Sequence, residues 1–191
     1  MHYLKPTLFV LLAVICGIGV GVYRIACIES SEAFFHNGSW TGSKNLALGE
    51  DKLITAQVSV FALFALPSRE AIYLFARRDD KKELLKSENT YTLSGNVNAI
   101  KAKYWSITAY GKDLYLIPNE DNRYSFNNTS LKTDSLGNFT VTLSPTRKGD
   151  NWLPTPPNAR FNLVLRIYKG EYGFLEGLET APLPEIKLLQ P

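Results

Sequence analysis

Histidine is nearly absent from this chain, whose 191 residues include only His2 and His36. A serine-histidine-aspartate triad needs a histidine base, and the usual zinc sites need clusters of histidine or cysteine. His36 stands alone in a polar stretch, and no serine lies in a nucleophile-elbow motif. The composition therefore argues against a histidine-based hydrolase and against a zinc site. It predicts no catalytic residue of that class, no metal and no cofactor.

Cysteine is equally scarce, with Cys16 inside an apolar run near the N-terminus and Cys27 just beyond that run. The remainder of the chain has no cysteine, so a disulfide within a globular domain is excluded. Cys27 could bridge two chains or remain a free thiol, and the sequence leaves both open.

The chain has little excess charge of either sign, with 21 Lys and Arg against 18 Asp and Glu. Lys5 and Arg24 flank the apolar run, and without them 19 basic residues remain against the 18 acidic ones. A nucleic-acid partner requires a basic surface. The near-neutral remainder predicts that no nucleic acid is bound.

An uncharged run extends from Thr7 to Tyr23. About 17 to 25 apolar residues cross a hydrocarbon core as a helix, so the run is at the short end of what spans a membrane. A cleaved signal peptide is the alternative, but no small-residue cleavage site follows and Arg24 precedes Cys27 unfavourably. A retained anchor is favoured, with its N-terminus in the cytoplasm. The predicted segments are a tail over 1–6, a signal-anchor helix over 7–27, a linker over 28–48 and an outer domain over 49–191.

Alternating apolar and polar residues predict that the outer domain is mainly β. The clearest strand covers 161–168, and further strands are predicted over 70–77, 89–95, 103–110, 139–143 and 186–188. Asp51 and Pro67 bound one amphipathic helix over 52–66. The predicted fold is a jelly-roll-like antiparallel β-sandwich with one packed α-helix, preceded by a single transmembrane helix.

A proline-rich segment precedes the clearest strand. Pro154, Pro156 and Pro157 restrict φ and remove backbone donors, which predicts a stiff loop outside the sheet over 151–153. Such a loop would present Trp152 from a rigid frame. The hairpin turn over 134–138 contains Gly137, which can adopt a positive φ.

Several aromatic, amide and arginine side chains combine flat apolar faces with directional donors, which is typical of sites for a polyol, a sugar or a peptide. The candidate residues are Trp105, Asn119, Arg123, Tyr124, Asn151, Trp152, Arg166 and Tyr168. The alternative is that the two tryptophans close the ends of a core while the arginines tie loop carbonyls. Glu120, Asp121 and Asp150 are candidates for an acid and a base in an enzyme, and solvated turn charges are the competing interpretation.

Four segments together resemble one bacterial family, the domain of unknown function numbered twelve-fourteen. They are EAIYLFARRD, YWSITAYGKDLYLIPNEDNRYS, SLGNFTVTLS and NWLPTPPNARFNLVLRIY, and the likeness covers about 49–188. The resemblance implies a jelly-roll-like domain that often follows, or is encoded beside, a companion domain numbered twelve-fifty-four. It also implies a separate companion membrane protein for this chain. Its motif positions are Asn119, Arg123, Tyr124, Ser125, Asn151, Trp152, Leu153, Pro154, Arg166 and Tyr168.

These observations predict a binding or assembly module, on the periplasmic side of a bacterial inner membrane, that docks with the companion protein. The alternative is an envelope enzyme or binding protein for a small polyol, sugar or glycan, which would use the loops at Asn119–Tyr124 and Asn151–Pro154. A third hypothesis has the anchor helices pair as a homodimer through Gly17 and Gly21, which are spaced as in close-packed membrane helices.

Overall fold

The computed structural model describes residues 4–26, 34–43 and 70–190. Helix α1 covers Leu4–Ala26, and its apolar window Pro6–Tyr23 has a mean hydropathy of 2.2 with none of its side chains buried. This helix is long and apolar enough to span a membrane. The amphipathic helix predicted over 52–66 lies outside the described residues, and the predicted domain boundaries remain predictions.

The described part of the domain is mainly β and forms two sheets. The strands are β1 (Phe34–Asn37), β2 (Trp40–Ser43), β3 (Ala71–Ala76), β4 (Thr90–Asn96), β5 (Ala102–Gly111), β6 (Ser125–Asn127), β7 (Asn138–Ser144), β8 (Trp152–Pro154), β9 (Phe161–Gly170) and β10 (Glu185–Gln190). A short helix α2, Tyr172–Glu176, follows β9 and has no buried residue. The mainly β fold that the sequence predicts is confirmed.

The larger sheet has the strand order β1-β2-β3-β9-β5-β6, and all of its pairs are antiparallel. The smaller sheet has the order β10-β4-β7-β8, in which β7 and β8 run parallel. This parallel pair differs from the wholly antiparallel sandwich that the sequence predicts. The jelly-roll connectivity remains a prediction.

One apolar core joins the two sheets. The inward side chains of β9 are less than 2% exposed, as its two-residue alternation predicts, and they are Phe161, Leu163, Leu165 and Ile167. Trp105 of β5 packs on Phe139 of β7 with 5.9 Å between ring centroids. Because β5 and β7 belong to different sheets, this contact lies between the layers of the sandwich.

Residues 34–43, within the segment 28–48 that the sequence predicts as a linker, form a hairpin. Gly38 has φ of +60° in the two-residue connection between β1 and β2, a position that favours glycine. Trp40 is 1% exposed, and its indole nitrogen donates to the carbonyl of Pro184 at 2.7 Å. The hairpin was not predicted because four-residue strands are too short for a clear alternation, and their pairing with β3 is non-local.

The loop predicted outside the sheet over 151–153 is also corrected. Trp152–Pro154 forms β8, which pairs with β7 at the edge of the smaller sheet. A proline is tolerated in an edge strand because its missing N–H need not serve a further neighbour. In the turn before β7, Gly137 adopts φ of +84°, which confirms the predicted positive φ.

Candidate functional site

The eight candidate residues occupy three different places in the fold. Trp105 and Trp152 are buried, at 0% and 5% exposure. Four others lie in the loops before β6 and β8, which contact each other through Arg123 and Asp150, and they are Asn119, Arg123, Tyr124 and Asn151. Arg166 and Tyr168 lie on the outer face of the larger sheet, because the neighbouring residues of β9 point into the core. They therefore do not form one continuous site.

The two tryptophans belong to the interior of the domain. Trp152 is not presented to solvent, since its indole nitrogen donates to the carbonyl of Ser144 at 3.0 Å and to Ser144 Oγ at 3.1 Å. Trp105 lies against Phe139, and within residues 4–26, 34–43 and 70–190 its indole nitrogen has no hydrogen-bond partner. Both indoles are buried, and Trp105 belongs to the hydrophobic core.

Asn119 builds the loop that precedes β6. Its side-chain oxygen accepts from the backbone N–H of Arg123 at 2.9 Å, and its amide nitrogen donates to the carbonyls of Ile117 and Arg123 at 3.0 and 3.1 Å. All three contacts are within the loop. The side-chain amide of Asn119 therefore satisfies backbone groups that would otherwise lack hydrogen-bond partners.

Two side chains connect this loop region to the other sheet. Arg123 Nη1 donates to the carbonyl of Asp150 at 2.7 Å. The amide of Asn151 pairs with the backbone of Lys132, accepting from its N–H at 3.0 Å and donating to its carbonyl at 2.7 Å. Residues 117–132 flank β6 of the larger sheet, whereas residues 147–151 precede β8 of the smaller one. We call these two segments the motif loops, and their contacts tie the two layers together.

Two carboxylates of the motif loops are paired with cations. Asp150 lies 2.8 Å from Lys132 Nζ, and Asp121 lies 3.5 Å from Arg147 Nη1. The hydrogen bond and the charge of Lys132 hold the pKa of Asp150 below its ordinary value. A general acid needs the opposite shift, so this environment suits an ion pair better than proton donation.

We expect Asn151→Asp to destabilise the domain by about 1–2 kcal/mol, because aspartate keeps the acceptor for the Lys132 N–H and loses the donor to the Lys132 carbonyl. The measurement is urea unfolding of the full-length chain in mild detergent. Asn158→Asp, in an exposed loop, is the matched control and should change the free energy of unfolding by less than about 0.5 kcal/mol. Equal effects at the two positions would contradict the proposed tie between the layers.

Arg166 lies along the outer face of β9 and bonds to its neighbour β5. Nη1 donates to Thr108 Oγ1 at 3.0 Å, Nη2 donates to the hydroxyl of Tyr110, and the guanidinium lies 5.3 Å from the centroid of the Tyr110 ring. The alternative in which Arg166 ties a loop carbonyl is therefore corrected, because the guanidinium donates to side chains of strand β5. These contacts hold the guanidinium flat against the sheet.

A second aromatic pair extends the same face. Tyr104 and Tyr168 are register partners, and their rings lie 5.7 Å apart. Tyr104 is 40% exposed. We call Tyr104, Tyr110, Arg166 and Tyr168 the tyrosine-arginine face.

Tyr104 and Tyr110 were not among the candidate residues from the sequence. The signal was present, since both lie on the polar side of the alternating strand 103–110. The pairing of β5 with β9 places Tyr104 beside Tyr168, and this pairing could not be predicted from the sequence.

Comparison with known proteins connects the fold to a family. A comparison with curated proteins found no match. The crystal structure of the VPA0106 protein from Vibrio parahaemolyticus is similar, with 27% identity and a TM-score of 0.59 over 72% of this chain and 35% of that one. A structure from Burkholderia cenocepacia, described as a putative uncharacterized protein, aligns with 16% identity and a TM-score of 0.45 over 88% of this chain and 39% of that one. The chain thus spans just over a third of the length of these two solved structures. Residues 70–172, about half of the chain, match the model of the family described as Protein of unknown function (DUF1214), and the chain belongs to that family.

Proposed function

We propose that this chain is a membrane-anchored binding and assembly module that docks on a companion protein through its tyrosine-arginine face. In this proposal α1 spans the bacterial inner membrane and the β domain lies in the periplasm. The companion is a membrane protein of the twelve-fifty-four type.

The first support is α1. An 18-residue window of mean hydropathy 2.2 with no buried side chain would expose a large apolar surface to water. Burial in a bilayer removes that cost, at about 0.8 kcal/mol per buried CH₂ group. The pairing of anchor helices through Gly17 and Gly21 remains a prediction.

The observation that carries the proposal is the relation to the Vibrio protein. The fold of this chain corresponds to 35% of that longer chain, so the domain occurs there together with much additional protein. A domain that is joined to a second unit in one protein is a reasonable docking partner for such a unit when the two are separate chains. In this proposal the companion is a separate polypeptide.

The tyrosine-arginine face has the chemistry of a protein interface. Tyrosine and arginine are enriched among the residues that contribute most to binding, because both combine apolar area with hydrogen-bond donors. Arg166 is already held by Thr108 and Tyr110, so a partner would order it at low entropic cost. Tyr104 and Tyr168 stand beside it as a preformed pair.

The test is co-expression of the full-length chain with the twelve-fifty-four protein of the same genome, followed by purification in mild detergent and quantification of the complex. We expect a stoichiometric complex, and we expect Tyr104→Ala with Tyr168→Ala to weaken it by about 2 kcal/mol or more, roughly 30-fold. Leu136→Ala is the control, because Leu136 is 73% exposed in the turn before β7, in the smaller sheet.

Absence of the complex with the natural sequence would refute the companion. A complex that survives the tyrosine substitutions and is lost with Leu136→Ala would move the docking surface to the other sheet. Lower thermal stability of the double variant without its partner would assign the tyrosine-arginine face to packing within this chain.

A further inference from the structure

A single Asn-Gly pair occurs in the sequence, and it lies at the turn of the hairpin that β1 and β2 form. Asn37 is the last residue of β1, and Gly38 begins the two-residue connection to β2. In such a pair the backbone nitrogen of the glycine can attack the side-chain Cγ of the asparagine, because a glycine has no Cβ that shields its own nitrogen. The pair is therefore a candidate for spontaneous chemical modification.

The glycine of this pair stands in open space. Apart from its chain neighbours, no atom of the described residues lies within 4 Å of the point that a Cβ on Gly38 would occupy. Gly38 adopts φ of +60°, and its carbonyl accepts a hydrogen bond from Lys82 Nζ at 2.6 Å. The turn is thus held in place while the flank of Gly38 stays unobstructed by the described residues.

The side-chain amide of Asn37 is held by a different part of the fold. Its Nδ2 donates to the carbonyl of Leu178 at 2.9 Å and to the carbonyl of Ala181 at 2.7 Å. Both carbonyls belong to residues 177–184, which join α2 to β10 and which we call the α2-β10 connection. The indole of Trp40 donates to Pro184 in the same connection. Three hydrogen bonds from hairpin side chains therefore attach this connection to the hairpin.

These hydrogen bonds oppose the reaction of the pair. Closure of a succinimide ring brings Asn37 Cγ against the nitrogen of Gly38, whereas the two bonds of Nδ2 direct the amide toward the α2-β10 connection. The reaction therefore requires that the hairpin and the connection separate. Such local openings occur in folded proteins at a lower free energy than global unfolding.

We propose that Asn37 is a deamidation site whose rate is controlled by the contact between the hairpin and the α2-β10 connection. In the first step the nitrogen of Gly38 bonds to Asn37 Cγ, its proton passes to solvent, and Nδ2 leaves as ammonia. Water then adds to a carbonyl of the succinimide and opens the ring to aspartate or isoaspartate. The net reaction consumes one water and releases one ammonia, with no oxidant or reductant.

The product changes the same contact. A carboxylate oxygen replaces the donor Nδ2, so the carbonyls of Leu178 and Ala181 lose their partner and face a negative charge. Isoaspartate also inserts a backbone carbon at the position where Asn37 pairs with Trp40. Deamidation therefore releases the α2-β10 connection irreversibly. The proposal is independent of the companion protein, because it uses no residue of the tyrosine-arginine face.

The test is incubation of the full-length chain at neutral pH, folded in mild detergent and unfolded in urea, with peptide mass spectrometry at successive times. We expect Asn37 to deamidate at least about tenfold faster in the unfolded chain than in the folded one. In the unfolded chain it should also react faster than Asn98, which precedes an alanine. Equal rates at Asn37 in the two states, or no excess over Asn98 in urea, would refute the proposal.

Two tryptophan variants separate local opening from global unfolding. Trp40→Phe removes the hydrogen bond to Pro184 without changing the reacting atoms, so the folded chain should deamidate at Asn37 at least about threefold faster. Trp152→Phe removes a buried indole donor away from the hairpin and should leave that rate within about twofold. Both variants should match the natural sequence in urea. Equal acceleration by the two substitutions would assign the control to global unfolding and overturn the local one.

Hydrogen exchange of the deamidated protein tests the release. The N–H groups of Thr180 and Leu183 donate to carbonyls within the α2-β10 connection, so both should exchange faster after the modification. Unchanged exchange in residues 177–184 of the modified protein would refute the release of the connection.

Discussion

Replacement of Trp40 by phenylalanine is expected to destabilise the domain by about 2–4 kcal/mol. The same replacement at Trp105 is expected to destabilise it by about 1–3 kcal/mol less than the replacement at Trp40 does. Both indoles are buried, at 1% and 0% exposure, so the apolar volume that is lost is the same. They differ in the polar atom. Trp40 Nε1 donates to the carbonyl of Pro184 at 2.7 Å, whereas Trp105 Nε1 has no hydrogen-bond partner among the residues that the structure describes. Phenylalanine in place of Trp40 leaves a buried carbonyl without its donor. Phenylalanine in place of Trp105 removes a donor that has no partner among the described residues.

The measurement is urea unfolding of the full-length chain in mild detergent, followed by far-ultraviolet circular dichroism so that the signal does not depend on tryptophan fluorescence. Trp152→Phe is a useful third variant, since its indole donates to Ser144 and its cost should be close to that of Trp40→Phe. A cost at Trp105 equal to or above that at Trp40 would show that the Trp105 indole is satisfied in solution.

The long strands could be predicted from the sequence because their environment is uniform along their length. Residues Phe161, Leu163 and Leu165 of β9 all face one core, and a two-residue period is the direct consequence. The same reasoning located β5 through Trp105 and Ile107. Neither prediction required information about which strand pairs with β9 or with β5.

The short strands could not be predicted in this way. The hairpin of β1 and β2 has four residues on each side, and its order depends on pairing with β3, which begins 28 residues after β2 ends. Likewise, β8 contains Pro154, and its place in the sheet depends on the position at an edge beside β7. Both cases are decided by neighbours that are distant in sequence.

The candidate residues lie in separate parts of the fold for the same reason, because their neighbours in space are distant in sequence. The sequence shows that Trp105 and Tyr104 lie on opposite faces of β5, yet only the packing of the smaller sheet determines which face is the interior. Arg123 and Asn151 were grouped by their motifs, and the structure places them at the junction between the layers, where their donors are used by backbone carbonyls.

The second large effect concerns Gly42, which we expect to be sensitive to substitution because it faces Leu74 across the β2-β3 pair. A Cβ atom at Gly42 would overlap Cδ2 of Leu74 and lie 3.1 Å from the ring of Phe35. Leu74 is 0% exposed, so it has little room to move. Gly42→Ala should therefore cost about 1–3 kcal/mol, and Leu74→Ala, which leaves a cavity, about 2–5 kcal/mol.

The double variant separates overlap from a general weakness of the hairpin. If the methyl group of Gly42→Ala enters the space that Leu74→Ala vacates, the double variant will be destabilised by about 0.5–3 kcal/mol less than the sum of the two single variants. Gly173→Ala is the control, because nothing lies within 4 Å of its added Cβ and the free energy of unfolding should not fall. Strict additivity would show that the hairpin does not pack on β3 through Gly42.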